Sequence, residues 1–436
     1  MTGFVRLRRI LIFVPEEMKS IIIKKTDRIL NGQIDLPASK SISNRMLMIR
    51  ALSGLDFPIG NLSGADDTLI LQKMLNLVLH NPFRRGVVEV DAGNAGTVMR
   101  FLSAYLSLQP GRWMLTGSER MKQRPIGILV EALKSLGASI EYLAKPGYPP
   151  LLIEGRSLTG REVAIDPGVS SQFTTALLLI APRLPGGLVL QLKGKAVSTP
   201  YSDMTIRLMQ SAGAKIKQGK THIQVMPGNY HPVNYTVESD WSAAAFWYEG
   251  AVLAEEADLV LSGLRADSLQ GDVILPEIFQ NFGIRTEFLP SGVRLTKTRK
   301  KIDGFFFNFT RFPDIAQAVI ATCCGLGIRG RFEGVQSLRI KETDRLKAMR
   351  NEFEKMGVQI SYQAGSDLVE AVEVLPRKGE FPLDPSVESY GDHRTAMSLA
   401  MLALRTNSMK IRNPDVVEKS YPDFWHHLRS MGFLIQ

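Results

Sequence analysis

Five times along the chain an amphipathic stretch ends on a glycine and passes at once into a short alternating segment, at Gly137, Gly213, Gly283, Gly357 and Gly432. Successive glycines lie 76, 70, 74 and 75 residues apart. A glycine after the last helical residue takes the left-handed conformation that closes a helix, and apolar–polar alternation is strand periodicity. One helix–glycine–strand unit, copied at near-constant spacing, restricts the chain to a repeated α/β (α+β) architecture. The period exceeds the ~20–50 residues of solenoid repeats, so each copy should be a small β/α layer packed against its siblings. A chain of 436 residues holds about six such copies; residues 66–79 read as the first, without its glycine. Six copies divide into two sets of three.

The length also calls for more than one core. A break between the sets falls at residues 237–240, and the turn-prone residues 36–39 offer a second crossing if the first strand belongs to the other half. The expected domains are therefore 38–238, and 18–37 together with 239–436. Residues 1–17 read as an N-terminal extension: Met18 offers a second start, and 18–36 reads as alternating strand. Apolar residues 10–14 are too few for a signal-peptide core. Runs such as 176–181 fall far short of the ~18 residues of a membrane span, so no membrane partner and a cytoplasmic address are expected.

Cys323 and Cys324 are the only cysteines, adjacent in an apolar run, which argues for buried thiols rather than a disulfide or a metal site. No H-E-x-x-H pair occurs among the six histidines. No metal and no cofactor are expected. A net charge of +10 suits nucleic acid, an anionic surface or a small phosphorylated and carboxylated substrate. Apart from residues 6–9 and 297–301 the cations are scattered, often beside Gly, Ser or Asn, which favours separate anion contacts over a stripe tracking a nucleic-acid backbone.

Several motifs place polar groups at helix starts. Ser39, Lys40, Ser41, Ser43, Asn44 and Arg45 stand between a strand (32–36) and an apolar helix (46–52), a position where early N–H groups and the helix dipole favour an anion; a serine cap is the plainer reading. Gly93 and Gly96, flanking Asn94, suit a phosphate or carboxylate resting on bare N–H groups before a helix. Arg120, Lys122 and Arg124 precede Pro125 and the helix 126–136. Ser170, Ser171 and Gln172 head the helix 173–181 with neutral donors. In the second half, residues 341–345 (Lys-Glu-Thr-Asp-Arg) read as the start of a helix to 356, with Lys341 and Arg345 on one face, as site groups or as a solvated charge ladder. Asp314 heads residues 315–324 as a cap or a catalytic carboxylate. Asp392, His393 and Arg394 precede an apolar helix, and Lys419 precedes Tyr421. Residues 325–330 match G-x-G-x-x-G, but helix comes before and strand after, the reverse of a dinucleotide fold, so NAD binding is rejected.

Taken together and in order, these segments resemble the enolpyruvyl transferase family, on its shikimate 3-phosphate branch. The likeness rests on residues 36–45, 93–97 with Met99 and Arg100, 120–126, 170–173, Ser198 with Tyr201, Asp314, 341–346, 392–394 and Lys419. It implies two domains, each of three βαβαββ units about a pseudo-threefold axis, with the active site in the cleft between them. It implies transfer of the carboxyvinyl group of phosphoenolpyruvate to the 5-hydroxyl of shikimate 3-phosphate. Shikimate 3-phosphate would be held by Lys40, Ser41, Arg45, Ser170, Ser171, Gln172, Ser198, Tyr201, Asp314 and Lys341. Phosphoenolpyruvate would be held by Lys40, Asn94, Gly96, Arg124, Gln172, Arg345, Arg394 and Lys419. The implied catalytic set is Asp314 as base and Glu342 as acid at C3, with Lys40 and Lys341. A monomer is expected, and the open Ala95-Gly96 implies sensitivity to glyphosate. The sequence departs from the family at Ser337, where many relatives carry Asn, and at Phe101, where Pro is frequent. The branch acting on UDP-N-acetylglucosamine carries a cysteine between 111 and 123, which is absent here. RNA 3′-phosphate cyclisation on a similar repeated fold lacks a nucleotide-phosphate motif.

Overall fold

The computed structural model describes residues 19–81, 86–166, 170–193, 199–365, 368–377 and 379–436; the proposed extension 1–17 and Ser198 lie outside them. Its helices are α1 (Lys40–Ser53), α2 (Asp66–Leu79), α3 (Gly96–Leu108), α4 (Gly127–Ser135), α5 (Ser171–Ile180), α6 (Thr199–Ser211), α7 (Trp241–Leu253), α8 (Leu275–Gln280), α9 (Ala316–Leu326), α10 (Arg345–Lys355), α11 (His393–Met401) and α12 (Phe424–Ser430).

The repeat is a mixed α/β layer. Strand Val87–Asp91 leads through α3 into Gly111–Thr116, paired parallel to it; α4 then leads into Ser139–Tyr142 and Leu151–Gly155, which complete the sheet antiparallel. Sheets beginning at Glu162–Ile165, Ile29–Asp35, Gly304–Asn308 and Ser386–Glu388 repeat that order. The last is finished by the chain's first described strand, Ser20–Lys24, antiparallel to Met409–Arg412. Residues 18–36 are therefore not one strand. The chain turns at Arg28, with φ of +50°, and sends Ser20–Lys24 and Ile29–Asp35 into different sheets. The sixth copy is reduced to a parallel pair, Ile59–Gly60 with Tyr235–Thr236. Only residues 80–86 separate α2 from the next sheet, too short a length for two further strands.

The five repeat glycines all have positive φ, from +75° to +104°. At four of them the following N–H also reaches back to the last helical turn, as in Ala138 N to Leu133 O at 3.0 Å and Val358 N to Phe353 O at 2.9 Å, which satisfies carbonyls that a helix end leaves orphaned. The decoy glycines resolve the same way: Gly327, with φ of +67°, ends α9, and strand Arg329–Glu333 follows.

Two apolar cores result. One gathers Ala38 to Val237; the other gathers Ile23 to Leu36 with Trp241 to Phe433. In the first, α1, α3 and α5 pack pairwise; in the second, α7, α9 and α11 do. These inner helices are buried on nearly every face, α7 so thoroughly that Ser242 alone escapes full burial. The two stretches joining the cores run side by side: Ser39 N donates to Glu238 O and Asp240 N to Pro37 O, both at 2.8 Å. No helix among the described residues is long and apolar enough to cross a membrane.

Candidate active site

All six inner helices begin at one cleft between the cores. Lys40 and Ser41 of α1, Thr97 of α3, Ser171 and Gln172 of α5, Ser242 of α7, Asp314 just before α9, and His393 and Arg394 of α11 line it. Four of these helices carry side-chain caps, from Ser39, Ser170, Asp240 and Asp392. Six aligned N-terminal dipole ends make the cleft favourable to anions before any side chain is counted.

Ionic side chains then interleave from both halves. Lys40 and Lys419 grip the two oxygens of Asp67, at 3.2 and 2.7 Å, and Lys419 also donates to Asn94 O at 2.8 Å. Glu342 stands 3.9 Å from Arg124 and from Lys419, and accepts from Arg345 at 2.8 Å. Asp392 holds Arg345 through Nε at 2.6 Å and Nη2 at 3.2 Å. Asp314 accepts from the Tyr201 hydroxyl at 2.7 Å and is ringed by Arg394, Lys341 and Arg345 at 3.5, 3.8 and 4.0 Å. Arg124 and Arg345 nevertheless keep donors without a hydrogen-bond partner among the described residues: Nε and Nη1 of Arg124, Nη1 of Arg345. Both side chains are buried, so each idle donor costs stability that an oxyanion would recover.

Burial alone would raise the Asp314 carboxyl, but Arg394, Lys341 and Arg345 outweigh it and hold it below the usual carboxylate range. Burial opposes Glu342 in the same way, and Arg345, Arg124 and Lys419 hold it well below its ordinary value. Lys341 is pushed down by burial, against the pull of Asp314. Burial lowers Arg45 to about 10. Next to the site, burial and then the neighbouring Asp314 push Asp272 up to about 8, against the pull of Arg394.

Of the residues expected from sequence, Lys40, Ser41, Arg45, Arg124, Ser170, Ser171, Gln172, Tyr201, Asp314, Lys341, Glu342, Arg345 and Arg394 line the cleft. Gly96 lies directly beneath the Arg124 guanidinium, where a Cβ would meet Nη2 at 2.6 Å. The Asn94 side chain turns instead to Ser118, at 3.4 Å, and only its carbonyl faces Lys419. All three Arg45 nitrogens are engaged by protein groups: Thr205, Ser41 O, Thr175 and Tyr201 O. Lys122 pairs with Glu119 on the surface, away from the cleft. The 341–345 segment is not a first helical turn. Asp344 caps α10 by accepting from Lys347 N, so the helix starts at Arg345 and Lys341 is extended; the shared helical face does not exist. Asp314 does not cap α9, whose cap position is Ile315. Sequence reading passed over Asp67, which stands beside Asp66 at the head of an ordinary amphipathic helix, where acids are common anyway.

A family model described as EPSP synthase (3-phosphoshikimate 1-carboxyvinyltransferase) matches residues 24–428. A 3-phosphoshikimate 1-carboxyvinyltransferase of Bacteroides fragilis is 45% identical over 408 residues, covering 93% of this chain and 97% of that protein. One from Sulfurovum sp. is 34% identical over 436 residues, covering 95% and 100%. An EPSP synthase structure from Acinetobacter baumannii aligns with a TM-score of 0.74 at 23% identity, over 96% of this chain and 99% of that one. The enolpyruvyl transferase NikO from Streptomyces tendae aligns with the same score at 14% identity, over 96% and 99%, a likeness of fold. A cleft of cations between two threefold helix sets, together with matches that run nearly end to end, places this chain in the EPSP synthase family.

Proposed function

We propose that this cleft carries out the reaction for which its family is named, transferring the carboxyvinyl group of phosphoenolpyruvate to the 5-hydroxyl of shikimate 3-phosphate with release of phosphate. The observation that carries the reading is the buried Arg124 fork. It has idle donors, lies on the bare Gly96, and faces Glu342 from the other half at 3.9 Å. Arg124 thus offers an oxyanion seat from one half, and the idle Nη1 of Arg345 adds a donor from the other.

In this reading Lys40, Ser41, Ser170, Ser171, Gln172, Tyr201 and Lys341 hold shikimate 3-phosphate, with Arg45 acting through its charge and its grip on Ser41 and Tyr201. Arg124, Arg345, Arg394, Lys419 and the Gly96 backbone hold phosphoenolpyruvate. The 5-oxygen bonds to C2 of phosphoenolpyruvate as its proton passes to Asp314 and C3 takes a proton from Glu342. The tetrahedral adduct then returns the C3 proton and expels phosphate, so no oxidant or cofactor is called for. Glu342 and Asp314 are held ionised by their cations. Substrate anions on Arg124, Arg345, Arg394 and Lys419 neutralise those same cations and raise both carboxyls toward the range where they exchange protons. Closure around the pair excludes water from the adduct.

Residues 38–238, and 18–37 with 239–436, are taken as the two closing domains, joined where the crossings lie side by side. A monomer is proposed, since the described lining of the cleft, from Lys40 to Arg394, comes from both halves of one chain. A cytoplasmic setting agrees with two buried, unpaired cysteines. The test is phosphate release from phosphoenolpyruvate with shikimate 3-phosphate or UDP-N-acetylglucosamine as acceptor. Release with the first alone is expected; release with the second alone would overturn the reading.

A further inference from the structure

Arg120 stands four residues before Arg124, on the short turn Met121–Gln123 that carries both. Its side chain reaches across to the other half, leaving only a long contact at home, from Nη1 to Gln123 Oε1 at 3.5 Å. Nε donates to Glu342 O and Nη2 to Lys341 O, each at 3.0 Å. These are the adjacent donors of one guanidinium edge, so a single planar group fixes two consecutive carbonyls at once. The carbonyls belong to the two residues proposed to act with Asp314. They lie between the short turn Gln336–Ile340 and α10, in a stretch with no ladder or helix of its own to set its position. Irregular backbone of this kind is placed by whatever side chains reach it. On the other side the turn is anchored: Ser118 N donates to Gly93 O at 2.9 Å, Lys122 N to Ser118 O at 3.0 Å, and Met121 is fully buried. Arg120 and Arg124 thus form one rigid two-pronged piece, one prong on the backbone of Lys341 and Glu342, the other facing the Glu342 carboxylate.

We propose that Arg120 is a positioning residue that latches the closed cleft. By holding the carbonyls of Lys341 and Glu342 across the interface, it sets those two side chains at a fixed distance from Arg124 and Gly96. Its catalytic part rests on the reaction proposed above; its structural part does not. Without the latch the halves still fold and shikimate 3-phosphate still finds most of its contacts, but Lys341 and Glu342 are no longer held opposite the Arg124 seat.

The test compares the unaltered protein with Arg120→Met, which keeps the stem and removes the donors, and with Arg120→Lys, which keeps the charge but not the fork. Hydrogen exchange of the ligand-free proteins reads the latch. Amides of residues 340–345 should exchange at least tenfold faster in Arg120→Met, with the melting temperature unchanged. Steady-state kinetics reads its role. The value of kcat/KM for phosphoenolpyruvate should fall 10- to 100-fold while the Kd for shikimate 3-phosphate alone, for which Lys341 is one holder among several, rises by a smaller factor, and Arg120→Lys should recover part of the loss. Unchanged exchange at 340–345 in both variants overturns the latch. Faster exchange with kcat/KM within twofold of the parent overturns its role in the reaction. If the unaltered protein releases no phosphate from the substrate pair, the reaction assigned above fails, and the exchange difference still decides the latch.

Discussion

At the scale of single residues, Gly93 and Gly96 look alike in the sequence, as two bare positions in one turn, yet they are glycine for different reasons. Gly93 has φ of +55°, which a side chain would strain, whereas Gly96 begins α3 and is bare to leave room for Arg124. Gly96→Ala should therefore fold normally and displace the guanidinium. KM for phosphoenolpyruvate is expected to rise at least tenfold, and glyphosate inhibition to weaken, with little change in shikimate 3-phosphate binding; an unaltered KM in steady-state assays would refute this. Asp314 was legible as a carboxylate at a helix head, but its four charged or hydroxyl neighbours come from three separate stretches of chain, and spacing along one stretch cannot reveal that. Asp314→Asn keeps the shape and removes the proposed base, so kcat should drop by about 10²–10⁴, the usual contribution of a positioned acid or base. Full turnover in the folded variant would take Asp314 out of that role. Asp67 stayed hidden for the same reason, since its partner Lys419 is 352 residues away.

At the scale of elements, the helix–glycine–strand signal was readable because it is local: cap and alternation occur within one short stretch. Strand order was not, because it depends on which sheet a strand joins, and Ser20–Lys24 closes a sheet begun at Ser386–Glu388. The start of α10 was misread because Lys341 and Arg345 have helical spacing; only the Asp344 cap shows that the helix begins later. One inner helix carries a cost of its own. Glu249, fully buried in α7, has neither oxygen in good hydrogen-bonding geometry among the described residues; burial holds its carboxyl well above the ordinary value of 4.5, and the nearby Ser398 hydroxyl only partly offsets it. The folded state therefore keeps a proton that the unfolded chain gives up. Stability should be greatest below about pH 4.5 as far as this group is concerned, and should fall as pH rises toward the folded value. Glu249→Met, similar in size and apolar, should raise the melting temperature at pH 8 by about 3 °C or more, since each kcal/mol moves a unit of this size by roughly 2–4 °C. The gain should shrink toward pH 4.5 in calorimetry. A gain independent of pH would show that packing, not ionisation, is responsible.

At the scale of the whole molecule, function depends on how two cores are joined, and the join is more than two crossing peptides. Gln270, nearly fully buried, uses both amide hydrogens and both lone pairs on the crossing. Its Oε1 accepts from Ser39 Oγ at 3.0 Å and Trp241 N at 3.1 Å, while Nε2 donates to Glu238 Oε1 at 3.0 Å and Ser239 O at 2.8 Å. One side chain thus ties the outgoing stretch before α1 to the returning stretch before α7, two of the six helices whose first turns open onto the cleft. The break at 237–240 and the turn-prone residues 36–39 were visible in the sequence, but nothing local marked a glutamine 30 residues beyond as the group that binds them. Replacing it by an apolar residue of equal length leaves several buried donors and acceptors unpaired, each costing about 1–3 kcal/mol. Gln270→Met should therefore lower the melting temperature by about 6 °C or more, at roughly 2–4 °C per kcal/mol. It should also separate the unfolding of the two cores in calorimetry, because the register between them is lost before either core melts. A variant that melts within a degree of the parent, with the same cooperativity, would mean that the crossing strands hold the halves in register without it.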